Sequence, residues 1–148
     1  MLEKYTSNSV KETHNIGFQI AKLLNHNSIV ALSGELGAGK TELIKGICAF
    51  FKVDDFVTSP TFTIINQYIG EDNSGEIIIY HLDLYRIKST KELEEIGFSE
   101  CIGDSNSIKL IEWSEKADYK LKEPDFAIKI FTDDIDENKR IIEIKKKI

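Results

Sequence analysis

An eight-residue loop, Gly34 to Thr41, reads GELGAGKT and directly follows the apolar run Ile29 to Leu32. Its spacing is G-x-x-x-x-G-K-[ST], in which glycines let backbone N–H groups approach phosphate oxygens closely. Such a loop needs a strand before it and a helix after it, because the helix N-terminus adds partial positive charge. The sequence therefore predicts a strand–loop–helix unit that binds phosphates, and we call residues 34–41 the phosphate-binding loop.

The residues that end this loop indicate a nucleotide and a metal ion. Lys40 is expected to reach the β and γ phosphates, and the hydroxyl group of Thr41 is expected to ligate Mg²⁺. Apolar residues recur at helical spacing from Leu43 to Phe51, which predicts a helix that begins at Lys40. The residues predicted to contact the nucleotide are Glu35, Leu36, Gly37, Ala38, Gly39, Lys40, Thr41 and Glu42.

Hydrophobic periodicity predicts the remaining elements. Capping-box spacings at Ser9 and Ser89 predict helices over 9–24 and 89–97. A further helix is predicted at 114–121, and strands at 61–69, 76–84, 108–111, 125–132 and 140–144. The first two strands are expected to form an antiparallel hairpin, and the last two an antiparallel pair at one sheet edge. For a chain of 148 residues we expect one domain, 1–148, with an α/β, P-loop NTPase-like three-layer fold: a central, mainly parallel sheet with antiparallel edge strands.

Two acidic residues could complete a metal site, because one hydroxyl group does not hold Mg²⁺ by itself. Asp83 follows the apolar run 77–82, and Glu112 follows the apolar run 108–111. Ligands of open α/β sheets bind beyond the carboxyl ends of the strands, so both acids could approach the nucleotide near Thr41. The alternative for each is an exposed cap or salt-bridge residue at a strand end. The pattern does not decide which acid touches Mg²⁺ directly.

Three further residues are candidates with competing interpretations. Thr61 ends the segment 58–61, where many P-loop enzymes have a mobile stretch that senses the γ-phosphate, although a turn that starts a strand has the same composition. His81 shares a strand face with Asp83 and is more often a hydrogen-bonded core residue than a base in such a run. Trp113 is expected to be a packing or nucleotide-adjacent aromatic rather than a reactive group.

Charge and composition argue against several classes of protein. The formal net charge is −6 and only two residues are arginines, Arg86 and Arg140. That balance argues against a primary grip on nucleic acid and against a kinase lid that clamps phosphates with several arginines. The guanine-reading Asn-Lys-x-Asp is missing, since the nearest string, 138–141, lacks the Asp. A D-x-x-G match at 72–75 falls in a predicted turn, so a GTPase is not indicated.

The cysteines and the hydropathy pattern bear on location. Cys48 and Cys101 lie in no metal-binding or disulfide spacing, and no apolar stretch approaches the roughly 18 residues that span a membrane. We therefore expect a reduced, soluble, cytoplasmic protein that has no contact with a membrane.

Five blocks in the same order resemble the bacterial TsaE (YjeE) family, which is the ATPase subunit of the machinery that makes threonylcarbamoyladenosine in tRNA. The blocks are GELGAGKT at 34–41, SPTFT at 59–63, HLDLYR at 81–86, LEEIGF at 93–98 and IEW at 111–113. The resemblance implies a weakly hydrolysing subunit that binds ATP and Mg²⁺ and acts in a complex with TsaB and TsaD. TsaD would transfer the threonylcarbamoyl group to the adenosine beside the anticodon, so this chain would meet tRNA only indirectly.

The same resemblance implies roles for individual residues. Lys40 would hold the phosphates, Thr41 and Glu112 would bind Mg²⁺, and Asp83 would support hydrolysis or the water shell of the metal. Thr61 would belong to a switch-like segment, and nucleotide turnover would reset the assembly.

Two positions depart from the usual pattern of the family. Glu35 stands where the family usually has Asp, and Glu42 stands where it often has a second Thr. A carboxylate at position 42 could repel the α-phosphate or simply favour the helix dipole. Two other functions remain open from the residues alone: a free-standing small-molecule kinase, and a nucleotide-binding regulator without catalysis.

Overall fold

The computed structural model of the protein describes residues 2–35, 37–60, 63–117 and 123–147. Leu36 and Thr61, both predicted site residues, lie outside the described residues. The elements are β1 (Leu2–Ser7), α1 (Val10–Ala21), β2 (Ile29–Gly34), α2 (Lys40–Phe50), β3 (Ile65–Asp72), β4 (Gly75–Asp83), α3 (Thr90–Glu95), α4 (Phe98–Gly103), β5 (Ser107–Glu112), β6 (Phe126–Thr132) and β7 (Arg140–Lys146). Within the described ranges, no helix has the length and apolar character needed to cross a membrane.

The described strands form one seven-stranded sheet in the order β1-β7-β6-β2-β5-β4-β3. Its centre is parallel, because β2 runs parallel to β5 and β6, and β4 runs parallel to β5. Both flanks are antiparallel: β3 pairs with β4 on one side, and β7 and β1 follow β6 on the other. This topology confirms the predicted mainly parallel sheet with antiparallel edge strands.

Helices cover both faces of the sheet. Leu110 in β5 belongs to a cluster that includes Ile20 of α1 and Leu43 of α2. The next residue, Ile111, belongs to a second cluster with Leu93 of α3 and other apolar residues. Successive side chains of a strand point to opposite faces, so α1 and α2 pack on one face and α3 on the other. The three-layer arrangement explains why every residue of β5 is buried.

Helices α1 and α2 touch each other backbone to backbone through two glycines. A Cβ atom on Gly17 would lie 2.1 Å from the carbonyl oxygen of Leu43, and one on Gly46 would lie 2.0 Å from the carbonyl oxygen of His14. Because α2 begins at Lys40, this contact holds in place the helix that carries the last two residues of the phosphate-binding loop.

Several element boundaries differ from the predictions. Strand β1 was not predicted, and it forms the sheet edge beyond β7, so the β6–β7 pair is antiparallel as expected but is not the outermost pair. Strand β3 starts at Ile65 and continues to Asp72, which shortens the predicted polar turn. Helix α4 was also not predicted, and it begins after Gly97, whose φ of +84° interrupts the preceding helix.

The predicted helix 114–121 is wrong where the structure describes it. Residues Ser114–Lys116 form a single turn of 3₁₀ helix, and the residues after Ala117 lie outside the described ranges. The turn begins at Trp113, which has a positive φ of 60° and so cannot continue a right-handed helix. Helix α1 matches its prediction in type and cap, since Ser9 accepts the N–H of Glu12, but it ends at Ala21.

Candidate functional site

The phosphate-binding loop connects the central strand β2 to α2, as the spacing predicted. Gly37 and Gly39 have φ values of +81° and +105°, in the left-handed region that favours glycine. Gly34 is required for a different reason, since a Cβ atom there would lie 2.7 Å from both the backbone oxygen and a side-chain methyl group of Ile130 on β6. The loop therefore rests directly on the neighbouring strand, and its glycines serve both conformation and close approach.

The N-terminus of α2 faces the loop without a side-chain cap. Gly39 is the N-cap residue, and among the described residues no side chain accepts a hydrogen bond from the first turn. Uncapped N–H groups at a helix N-terminus, together with the helix dipole, attract anions. With Gly37 open to solvent on its Cα side, this arrangement fits the phosphates of a nucleotide.

Lys40 lies at the mouth of the loop and meets an acid from β5. Its Nζ atom donates a hydrogen bond to the carbonyl oxygen of Gly34 at 2.8 Å and lies 3.2 Å from Oε1 of Glu112. Both side chains are largely withdrawn from solvent, with 15% and 7% exposed. The structure thus brings together two of the predicted site residues that are far apart in the chain.

Glu112 has a second partner in the buried His81 of β4. Nε2 of His81 lies 2.8 Å from Oε2 of Glu112, and since an ionised carboxylate only accepts, we assign the proton to Nε2. Nδ1 of His81 has no hydrogen-bond partner among the described residues. This geometry confirms the interpretation of His81 as a hydrogen-bonded core residue.

The surroundings of Glu112 lower its pKa. Burial acts in the opposite direction and raises the pKa, but the hydrogen bond from His81 and the positive charge of Lys40 outweigh it. The carboxyl group is therefore ionised at neutral pH, which is the form that can pair with Lys40 or bind a cation.

Acid is expected to remove the contribution of Glu112 to stability. The folded-state pKa lies below the ordinary value of 4.5, so the unfolded chain takes up this proton at a higher pH than the folded chain. The stabilisation is complete above pH 4.5 and declines as the pH falls through the folded pKa. In urea titrations at about pH 7, Glu112→Gln should lower the free energy of unfolding by about 1–3 kcal/mol, and this gap should narrow in acid. A gap that stays constant down to acid unfolding would contradict the assignment.

Asp83 and Thr41 complete the set of described candidates. Asp83 is paired in register with Glu112 on the adjacent parallel strand, so both acids lie at the same edge of the sheet. Oδ1 of Asp83 accepts a hydrogen bond from the N–H of Tyr85 at 3.1 Å. Thr41 is half-buried and follows Lys40 in α2. Among the described residues no group of three His, Cys, Asp or Glu could hold a metal.

A small cavity of about 90 Å³ lies beside Lys40. It is lined by Leu32, Ser33, Gly34, Lys40, Trp113 and Glu115. Trp113 is 40% exposed, and its ring centroid lies 5.0 Å from that of Tyr85. A larger open groove of about 550 Å³, lined by Tyr85, Arg86, Lys88, Glu92 and Lys116, contains no residue of the phosphate-binding loop. Because the smaller cavity is lined by Gly34 and Lys40 of the phosphate-binding loop, we locate the candidate site there and not at the larger groove.

Comparison with known proteins identifies the family. The family model described as "Threonylcarbamoyl adenosine biosynthesis protein TsaE" matches residues 7–142. The chain belongs to the TsaE family. Its relatives include the tRNA threonylcarbamoyladenosine biosynthesis protein TsaE of Rickettsia typhi, 40% identical with 96% of this chain and 94% of that protein covered. The protein of the same name from Aquifex aeolicus is 35% identical, with 99% and 98% covered.

A solved structure supports the same assignment. The crystal structure of Bacillus subtilis YdiB superposes with a TM-score of 0.69 at 27% sequence identity, and covers 99% of this chain and 86% of that one. The family resemblance inferred from the five sequence blocks is therefore confirmed, and so is the fold class.

The two positions that depart from the usual TsaE pattern have ordinary surroundings. Glu35 is exposed, and its backbone oxygen accepts the N–H of Ala38 at 3.0 Å. Oε2 of Glu42 lies 3.7 Å from Nζ of Lys45, one turn along α2. This pair is long and partly exposed, so it changes the charge at the helix N-terminus little.

Some residues of this TsaE site were not predicted from the sequence. Ile130 supports the loop from β6, and the side chain of Arg140, at the start of β7, reaches the loop carbonyl groups. No local pattern indicates either contact, since about a hundred residues separate these strands from the loop. The scarcity of arginines is a signal that could have drawn attention to Arg140, which was not among the predicted site residues.

Proposed function

We propose that this chain is the ATP-binding, weakly hydrolysing subunit for threonylcarbamoyladenosine modification of tRNA, and that it acts in a complex with TsaB and TsaD. One observation carries the proposal: Lys40 of the phosphate-binding loop is paired at 3.2 Å with the buried acid at the end of β5, Glu112. A cation for the phosphates and an anion for the metal thus lie side by side, as ATP with Mg²⁺ requires. Membership of the TsaE family supports the assignment to threonylcarbamoyladenosine biosynthesis.

The residues have distinct proposed roles. Backbone N–H groups of the phosphate-binding loop and Nζ of Lys40 bind the phosphates, and Thr41 and Glu112 hold Mg²⁺. Asp83, beside Glu112 in register, orients water near the metal or the phosphates, and Thr61 belongs to the segment that senses the γ-phosphate. When bound, Mg²⁺ would offset the negative charge of the phosphates. His81 keeps the carboxylate of Glu112 ionised and oriented toward the loop.

We further propose that residues 1–148 act as one cytoplasmic unit. With a formal net charge of −6, the chain is unsuited to gripping an RNA backbone by itself. The chain would therefore contact tRNA only indirectly, because its partners would bind the tRNA.

The decisive test is a pull-down of the purified chain against TsaB and TsaD with Mg²⁺-ATP, Mg²⁺-ADP and no nucleotide. We expect retention that is strongest with ATP, and slow ATP hydrolysis by the chain alone. Loss of all association in the presence of Mg²⁺-ATP would exclude the proposal. Multiple turnovers on a phosphoryl acceptor without partners would favour a free-standing kinase, and tight ATP binding without hydrolysis in the complex would favour a regulator.

A further inference from the structure

Arg140 connects the β6–β7 turn to the phosphate-binding loop. Its Nε atom donates to the carbonyl oxygen of Ala38 at 3.0 Å, and one terminal nitrogen lies 3.4 Å from the carbonyl oxygen of Gly37. The other terminal nitrogen donates to the carbonyl oxygens of Lys139, at 3.2 Å, and of Glu137. One guanidinium group thus holds two consecutive carbonyl groups of the loop and two of the turn.

These contacts fix the orientation of two peptide groups. In a trans peptide the C=O and the following N–H point in opposite directions. The N–H of Gly39 therefore points away from Arg140, and the N–H of Ala38 donates to Glu35 at 3.0 Å, which closes the loop turn. Holding the carbonyl oxygen of Ala38 on the outside therefore leaves the N–H of Gly39 for the side where phosphates would bind.

The loop needs such an external support because of its composition. Glycines at positions 37 and 39 give the chain many conformations, only some of which direct N–H groups inward. Gly37 has no atom within 4 Å of the place where a Cβ atom would lie, so packing on that side does not restrain it. The hydrogen bonds of Arg140 supply a restraint at this point.

The turn that carries Arg140 is itself ordered. Oδ2 of Asp133 accepts the N–H groups of Ile135 and Asp136 at 3.1 and 2.8 Å, and the N–H of Asp133 donates to the oxygen of Lys139 at 3.0 Å. The guanidinium group therefore has a defined anchor on the side opposite the loop.

We propose that Arg140 is a positioning residue for the phosphate-binding loop, which it holds ready for phosphate by fixing the carbonyl groups of Gly37 and Ala38. The inference rests on the proposed nucleotide binding. Arginine suits this role better than lysine, because its planar group offers five N–H donors in a fixed geometry, whereas an ammonium group is a compact point charge.

The test compares Arg140→Met and Arg140→Lys with the control Lys139→Met, which removes the same charge one residue away. We expect both Arg140 variants to raise the dissociation constants of Mg²⁺-ATP and Mg²⁺-ADP by about tenfold, and Lys139→Met to change them by less than about twofold. In ATPase assays, KM should rise by about tenfold while kcat at saturating ATP stays within about twofold, because bound phosphates can order the loop. Without nucleotide, the amide of Ala38, whose N–H donates to Glu35, should exchange hydrogen faster in both Arg140 variants.

These results test the role of Arg140 independently of the proposed function of the chain. Unchanged affinity and exchange in Arg140→Met would overturn it, and full recovery by Arg140→Lys would show that charge acts and not the guanidinium geometry. Failure of the wild-type chain to bind Mg²⁺-ATP would overturn the proposed function. The hydrogen-exchange comparison, which needs no nucleotide, would still decide whether Arg140 restrains the loop.

Discussion

Lys40→Ala is expected to weaken the binding of Mg²⁺-ATP by at least about tenfold. The Nζ atom lies at the loop mouth between the carbonyl oxygen of Gly34, at 2.8 Å, and Glu112, at 3.2 Å. Its removal takes away the cation that we propose binds the phosphates. It also leaves the buried carboxylate of Glu112 without its ammonium partner, and a negative charge that is no longer offset repels the incoming phosphates.

Lys45→Ala is the matched control for this loss. Lys45 lies in the same helix and carries the same charge, but its Nζ atom pairs with Glu42 at 3.7 Å and 39% of its side chain is exposed. Exposed ion pairs contribute little, so affinity measured by equilibrium titration should change by less than about threefold. Equal affinities for the two variants would remove Lys40 from the nucleotide site.

Gly46→Ala is expected to lower the free energy of unfolding by about 3 kcal/mol, as overpacking in a rigid contact does. The added Cβ atom would lie 2.0 Å from the backbone oxygen of His14 and 2.9 Å from its carbonyl carbon. A backbone carbonyl group cannot rotate away as a side chain can, so α1 and α2 must separate. Because α2 carries Lys40 and Thr41, nucleotide affinity should fall together with stability.

Gly103→Ala provides the comparison for the same chemical change. Gly103 is the last residue of α4, and nothing lies within 4 Å of the place where its Cβ atom would be. Alanine at this position is expected to be neutral or to stabilise the protein by up to about 1 kcal/mol, because it lowers the entropy of the unfolded chain. Urea denaturation of the two variants measures the contrast. A cost below about 1 kcal/mol for Gly46→Ala would show that the helix contact yields easily.

Much of the site followed from local pattern. The glycine spacing of residues 34–41 requires a strand before it and a helix after it, and the structure has β2 and α2 in those places. Asp83 and Glu112 each end an apolar run, and parallel strands bring the two acids to one sheet edge in register. These inferences need only the period of a strand, the geometry of a helix N-terminus and the chemistry of phosphate.

Strand β1 and the burial of Lys109 show where local pattern was insufficient. Most of β1 is exposed, and its backbone groups are satisfied by pairing with β7 at the other end of the chain. Lys109 interrupts an apolar strand, yet it is fully buried, because its Nζ atom donates to Asn27 and to the backbone oxygen of Asp104, each at 2.6 Å. Neither arrangement has a signature within a window of neighbouring residues.

Spacing, hydropathy and residue type by themselves predicted the phosphate-binding loop, the strand and helix around it, and the two candidate acids at the ends of apolar runs. These depend on interactions within a few residues along the chain, which a sequence displays directly. Only the tertiary structure shows that His81 donates a hydrogen bond to Glu112, that the backbone at Gly46 touches the carbonyl group of His14, and that Arg140 binds the loop from outside. Those contacts join segments that are distant in the chain, and their energies arise only once the packed layers bring the groups within a few ångströms of each other.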